Sequence, residues 1–166
     1  MDYYKLYELT PSPIADKVLV KKKYLQLSRE HHPDFADNTD ENSKEAALNI
    51  SSQVNKAYKI FSDPALSIQY FLQYKGVITE DEKYSLPNDF LMDMMDLNEM
   101  LEDAKADNNN EELISVKQRI EGVEQEMNQD MEELIAHDVM DGKELQQLKS
   151  YYYKIKYIHR ILEGIS

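Results

Sequence analysis

The sequence has 166 residues, of which 42% are hydrophobic, which is enough to form the core of one ordinary domain or two small ones. Its formal net charge is −13, and a surface this negative repels phosphate backbones and anionic headgroups, so we expect neither nucleic acid nor membrane as a partner. Cysteine is absent, which excludes disulfides, thiolate metal sites and a cysteine nucleophile.

The charge is distributed unevenly along the chain. Residues 1–75 carry 10 acidic and 10 basic side chains, whereas residues 88–147 carry 18 acidic and 4 basic ones. Residues 76–87 between them mix Gly, Pro and charged residues without helical periodicity, as a linker or a packed connection does. With only 4 Gly and 5 Pro in the chain, we predict an all-α protein: an N-terminal domain at 1–75 and a three-helix bundle at 88–166.

The opening stretch, MDYYKLYELTPSP, contains no apolar signal core and is not rich in arginine. No later apolar run approaches the roughly 18 residues that a membrane-spanning helix needs. We therefore expect a cytoplasmic protein.

Two helices are predicted before the first histidine pair. Asp2 can cap a short helix over residues 3–9, which the prolines of TPSP would end. A second helix is expected to begin at Ser12 or Asp16. It should continue to His31 and end there, because the proline two positions later disfavours the helical conformation at the residue before it.

The side chains of this second helix divide between two faces when they are placed at about 100° per residue. One face is expected to pack in the core and carries Val20, Tyr24, Leu27 and His31. The opposite face is cationic and polar, and it carries Lys22 and Arg29, flanked by Lys21, Lys23 and Gln26. Such a face is usually only solvated, but it can also steer the protein toward an acidic partner.

A third helix is predicted from apolar residues at three- and four-residue spacing: Ala47, Ile50, Val54, Ala57 and Phe61. This pattern is typical of a helix packed antiparallel on its neighbour. Asp63 and Pro64 then start a fourth helix, which Gly76 closes.

The second half is predicted to contain three longer helices, at about 88–105, 110–137 and 142–163, joined by NNN and DG turns. The middle and last helices both show the apolar seam of a helical bundle. The seam residues are Leu113, Val116, Ile120, Val123, Met127 and Leu134 in the middle helix, and Leu145, Leu148, Tyr152, Ile155, Leu162 and Ile165 in the last.

The first of these three helices has apolar residues on two faces. Phe90, Met94, Leu97 and Leu101 form a core stripe, whereas Leu91, Met92 and Met95 fall on other faces together with Asp96 and Glu99. Exposed methionine beside carboxylates is a usual composition for a binding surface, because the flexible thioether adapts to a partner. The alternative is a helix buried on two sides.

The stretch EHHPDF at residues 30–35 permits several interpretations. His31, His32 and Asp34 are all possible metal ligands, but consecutive histidines rarely bind one ion, and no second ligand pair stands at a fixed spacing. A catalytic role would need a concave pocket and an oriented partner group. The stretch can also serve simply to end a helix and turn the chain.

Several motifs in order resemble one family. His32-Pro33-Asp34 lies between a basic helix and the element VNKAYKIFSDP, as in the J-domain of DnaJ-type co-chaperones. Together with the opening DYYKLYEL, with YFLQYKG and with DFLMDMMDLNEMLED, this order is similar to the HscB family of iron-sulfur cluster co-chaperones. The chain departs from the family at Ser67-Ile68, where an Arg-Ala pair is usual. It also lacks the N-terminal cysteine-bearing extension of many eukaryotic members, so we expect a bacterial-type form.

The resemblance implies a co-chaperone without catalytic activity or a cofactor of its own. Its J-domain would bind a DnaK-class ATPase chaperone such as HscA and accelerate ATP hydrolysis, and its C-terminal helices would bind the iron-sulfur scaffold IscU and deliver it. The alternatives are a J-domain protein serving a different client and a helical interaction module.

The resemblance also implies site residues. Asp34 would accept a hydrogen bond from an arginine of the ATPase, Pro33 would hold the loop shape, and His32 would order the loop and contact the partner. The remaining chaperone-binding residues would be Lys22, Lys23, Gln26 and Arg29. The scaffold-binding residues would be Leu91, Met92, Met95, Asp96 and Glu99, with Tyr151 or Tyr153 as a possible flanking aromatic.

Overall fold

A computed structural model of the protein describes residues 1–32, 41–137 and 139–164, with Glu41 described in its backbone only. Within these residues every regular element is an α-helix, which confirms the all-α prediction. The helices are α1 Tyr3–Leu6, α2 Lys17–Glu30, α3 Glu41–Ser62, α4 Pro64–Tyr74, α5 Asn88–Ala106, α6 Asn110–Ile135 and α7 Gly142–Glu163.

The chain forms two compact units. The first comprises Met1–Gly76 and Ala136–Val139, and the second comprises Val77–Ile135 and Met140–Ser166. Residues 77–87 therefore belong to the second unit.

Helix α1 is shorter than predicted. The Asp2 carboxylate caps it as expected by accepting from the Lys5 N–H at 3.2 Å, but the helix ends at Leu6 rather than at residue 9. Glu8 adopts φ 52°, and the Leu9 N–H donates to the Tyr4 carbonyl at 2.9 Å. This is the hydrogen bond of a Schellman motif, which ends the helix before the prolines are reached.

Helix α2 begins where Asp16 caps it, since this carboxylate accepts from the N–H groups of Val18 at 2.8 Å and Leu19 at 3.0 Å. The last helical residue is Glu30, so the helix ends one residue earlier than predicted, with His31 as its C-cap. Residues 33–40, which follow, lie outside the described residues.

Helices α2 and α3 pack against each other through the face of α2 that was predicted to be core. Val20 is buried, and the Tyr24 ring stacks on the Tyr58 ring with centroids 4.2 Å apart. The buried side chains of the first unit include Tyr4, Tyr7, Val20, Val54, Ala57, Phe61, Phe71 and Leu72.

Helix α4 has the predicted boundaries. The Asp63 carboxylate accepts from the Leu66 N–H at 3.0 Å, and Pro64 occupies the first turn. Gly76 has φ 69°, the left-handed conformation that glycine adopts without the steric cost of a Cβ.

The second unit has a core formed by α5, α6 and α7. The buried side chains of this core are Met94, Leu97, Leu101, Val116, Ile120 and Ile158. The predicted stripe of α5 and the first half of the α6 seam are therefore confirmed. In α7 the predicted Leu148, Tyr152 and Ile155 are buried, but Ile158 was missed, and Ile165 lies outside the described residues. Helix α6 ends at Ile135, two residues earlier than predicted.

Residues 77–87 pack on α7 through a small polar cluster. The Lys149 ammonium donates to the Val77 carbonyl at 3.2 Å and pairs with the Glu82 carboxylate. Tyr153 donates to Glu82 at 3.3 Å and stacks on Tyr84 with centroids 4.5 Å apart. The hydrogen bond from Lys149 lowers the pKa of Glu82, while burial and the nearby Glu82 charge raise the pKa of Tyr153 to about 12.

The buried Tyr7 hydroxyl donates to the Val54 carbonyl at 2.8 Å and so links α3 to the segment after α1. Tyr7→Phe keeps the ring in the core but removes this bond, so we expect it to lower the free energy of unfolding by about 1–2 kcal/mol. Urea denaturation measures the change. Tyr74→Phe is the matched control, because Tyr74 is exposed in the same unit. Equal effects of both substitutions would contradict the assignment.

The Glu82–Lys149 pair should make the second unit sensitive to acid. The folded pKa of Glu82 lies below its unfolded value. The pair therefore stabilises the fold at every pH above the ordinary glutamate pKa of about 4.3. That stabilisation is lost as the pH falls through the folded pKa. We therefore expect Glu82→Gln to lower the urea midpoint at neutral pH and to match the parent protein in strong acid. The control is Glu80→Gln, because Glu80 is exposed. If the urea midpoints of Glu82→Gln and the parent protein differed by the same amount at every pH, the pair's role would be refuted.

Candidate functional site

The outward face of α2 carries most of the predicted chaperone-binding residues. Lys21, Lys22, Gln26 and Arg29 are all exposed. Gln26 donates to the Glu30 carboxylate at 2.9 Å, one turn further along the helix. These side chains lie on the first unit's surface, opposite the face that packs on α3.

Lys23 differs from its neighbours. Its ammonium pairs with the Glu8 carboxylate, and only 18% of its side chain is exposed. The helical projection explains this, because Lys23 lies about 60° from the buried Val20. Lys23 is thus engaged within the unit, and its role in partner binding stays a prediction.

The HPD motif is described only in part. His32 is exposed directly after α2, whereas Pro33 and Asp34 lie outside the described residues. The metal interpretation also depends on Asp34. In the described part of the chain, no three His, Asp or Glu side chains are grouped as a metal ion requires.

Two exposed apolar side chains accompany the cations of α2. Val18 is 80% exposed and Leu25 is 48% exposed. The sequence prediction for this face considered only its charged and polar residues. A projection at about 100° per residue nevertheless places Val18 and Leu25 on the same face.

Helix α5 shows two opposite faces of different character. Met94, Leu97 and Leu101 are buried, whereas Met92 is 66% exposed and Met95 is 57% exposed. The helix is therefore not buried on both sides within the second unit.

The remaining predicted scaffold-binding residues surround these methionines. Asp96 and Glu99 are exposed, and Leu91 is partly buried. The exposed face thus combines two flexible thioethers with carboxylates. This composition suits a partner surface that has an apolar centre and polar or cationic groups around it.

The three consecutive tyrosines of α7 contribute mainly to packing. Tyr151 is buried and donates to the Asn128 amide oxygen at 2.6 Å, and burial raises its pKa. Tyr152 is buried as expected, and Tyr153 stacks on Tyr84. Consecutive helical residues point about 100° apart, so the burial of both Tyr151 and Tyr152 shows that α7 is covered on more than one side. The flanking role of Tyr151 or Tyr153 at the scaffold site stays a prediction.

Ser67, where the family usually carries arginine, is completely buried. In this chain the position therefore offers no surface group to a partner. The contact that an arginine would make there is not available to Ser67.

No helix within residues 1–32, 41–137 and 139–164 combines the length and the apolar character that crossing a bilayer requires. Of the predicted site residues, Lys22, Gln26 and Arg29 are exposed on α2 of the first unit. On α5 of the second unit, the exposed ones are Met92, Met95, Asp96 and Glu99.

Comparison with known families matches both halves of the chain. The family model for the DnaJ domain matches residues 2–70, and the one described as the HSCB C-terminal oligomerisation domain matches residues 86–166.

Individual relatives agree with these matches. A protein of Pseudoalteromonas atlantica named as an HscB co-chaperone homolog is 34% identical over 106 residues, which cover 63% of this chain but only 61% of that relative. The human iron-sulfur cluster co-chaperone protein HscB is 27% identical over 165 residues, 99% of this chain and 67% of its own length. The crystal structure of the human co-chaperone superposes with a TM-score of 0.80 at 25% identity, covering 99% of this chain and 80% of the human one.

The two faces of α5 predict opposite effects for neighbouring methionines. Met94→Ala should lower the free energy of unfolding by about 2–5 kcal/mol, because it leaves a cavity in the core. Met92→Ala should change it by less than about 0.5 kcal/mol, since Met92 is exposed. Urea denaturation of both variants checks this, and a large loss of stability in Met92→Ala would show that this methionine is a packing residue.

Proposed function

The chain belongs to the HscB family of co-chaperones, and from this membership we propose that it couples a DnaK-class ATPase chaperone to an iron-sulfur scaffold protein of the IscU type. The observation that carries the proposal is the pairing of a DnaJ domain at residues 2–70 with an HscB C-terminal domain at residues 86–166. Each half would bind one partner.

The first unit would bind the chaperone through α2 and the loop that follows it. Lys22 and Arg29 project from a helix whose other face is fixed in the core, so their charges are presented on a rigid support. Cations presented in this way accelerate association with an acidic groove, and salt weakens the effect. Asp34 would then accept a hydrogen bond from an arginine of the ATPase, with Pro33 and His32 shaping the loop.

The second unit would bind the scaffold through α5. Met92 and Met95 would form the apolar centre of the contact, with Leu91 beside them, and the carboxylates of Asp96 and Glu99 would form its rim. Apolar anchors surrounded by polar groups are the usual source of affinity in protein interfaces. Since this chain has no cysteine, the scaffold would supply thiolate ligands to the iron-sulfur cluster.

The co-chaperone would contribute no chemical step. It would raise the rate of ATP hydrolysis in the chaperone by binding the ATPase and placing the scaffold beside it. Tethering would raise the effective concentration of the scaffold at the chaperone, because a scaffold held on the co-chaperone meets the chaperone as part of one complex.

The two-partner proposal predicts that the two binding activities can be separated by substitution. Asp34→Asn should abolish ATPase stimulation and leave scaffold affinity unchanged, because it removes only the proposed acceptor for the ATPase. Met92→Ala with Met95→Ala should weaken scaffold binding by about tenfold or more and leave ATPase stimulation in the absence of scaffold intact. Calorimetric titration with the scaffold and single-turnover hydrolysis by the chaperone measure the two effects.

The matched control is Ile114→Ala, since Ile114 is 57% exposed in the same unit as the methionines. It should alter neither activity. If the Asp34 and Met92/Met95 variants each lost both activities while keeping their helical content, the assignment of one partner to each unit would be wrong.

A further inference from the structure

The face of α2 that points away from the core alternates between apolar and cationic side chains. With Val18 at 0°, the next residues on this line are Lys22, Leu25 and Arg29, all within about 40° of it. The buried Val20 lies at about 200°, nearly opposite.

Contacts other than those of Val18 and Leu25 fix the position of α2. Helix α2 is fixed by the Asp16 cap, by burial of Val20 and by the stack of Tyr24 on Tyr58. Val18 is nevertheless 80% exposed and Leu25 48% exposed, so both leave apolar surface in water. That surface becomes useful when a partner covers it.

The lysines enlarge the same apolar surface. Val18 and Leu25 line one shallow groove together with Lys17, Lys21 and Lys22. Lysine can lay its methylene stem along an apolar surface while its ammonium remains in water. The result is an apolar strip bordered by positive charge.

The charge of this helix determines what can cover the strip. Four of its exposed side chains are cationic, and Glu30, at its C-terminal end, is the single acidic residue between Lys17 and Glu30. A complementary surface therefore has an apolar floor and an acidic border, because lysines attract carboxylates and repel other cations.

Building on the proposed function, we propose that Val18 and Leu25 insert into an apolar floor of the acidic groove on the DnaK-class chaperone. They then supply the part of the binding free energy that salt does not screen. The lysines and Arg29 accelerate association, and the two apolar side chains slow dissociation. The docking surface is thus defined by an apolar pair within the cationic stripe.

The test uses the full chain in single-turnover ATP hydrolysis by the chaperone, with the co-chaperone titrated at low and at high salt. We compare the parent protein with Val18→Gln/Leu25→Gln and with Lys21→Gln/Lys22→Gln. Glutamine is a good helix former, so these exposed substitutions preserve α2, and circular dichroism verifies this.

The apolar double variant should raise the half-maximal concentration by about tenfold at both salt concentrations, because it removes two apolar contacts. The lysine double variant should raise it mainly at low salt and flatten the salt dependence. Ile114→Gln, on an exposed residue of the other unit, should leave both values unchanged.

Two failures can be told apart. If the parent protein stimulates hydrolysis and the Val18/Leu25 variant has the same half-maximal concentration as Ile114→Gln, the apolar pair does not bind the chaperone and this inference is overturned alone. If the parent protein does not stimulate hydrolysis at any concentration, the proposed function and the inference built on it both fail.

Discussion

The packing of α2 on α3 is the interaction on which the first unit depends. Val20 and the Tyr24–Tyr58 stack hold one face of α2 in the core, and this fixes which side chains can reach a partner. Lys22, Leu25 and Arg29 are exposed because they lie opposite that contact. Rotation of α2 by one residue would move Lys21 or Lys23 toward the core position of Val20, and burial of an unpaired charge is strongly destabilising.

Helix α5 of the second unit is likewise divided into a core face and an exposed face. Burial of Met94, Leu97 and Leu101 against α6 and α7 fixes the rotation of α5, and Met92 and Met95 are left on the surface. Similar side chains thus have opposite roles on one helix, since a methionine can fill a gap in a core or adapt to a partner. In both units, a face buried in the core determines the face proposed for binding.

Much of this arrangement could be predicted from the sequence, because it depends on local periodicity. The Asp2, Asp16 and Asp63 caps, the left-handed Gly76 and the buried stripe of α5 all follow from residue type and spacing. What could not be predicted depends on contacts distant in sequence or on backbone geometry. The pairing of Lys23 with Glu8 depends on where the segment after α1 lies. The Schellman motif depends on a left-handed conformation at Glu8, which is not a glycine. The burial of Tyr151 depends on where α6 lies. The helical projection does place Val18 and Leu25 on the outward face of α2, but the prediction for that face considered only its charged and polar residues.

In the proposed function, one chain couples an ATPase chaperone to a scaffold protein. The most direct measurement is single-turnover ATP hydrolysis by a DnaK-class chaperone with this protein alone, with an IscU-type scaffold alone, and with both. We expect the rate with both to exceed the product of the two separate accelerations, and we expect Asp34→Asn to remove this synergy. Stimulation by this protein that is the same with and without the scaffold would contradict the coupling and would point to a different client.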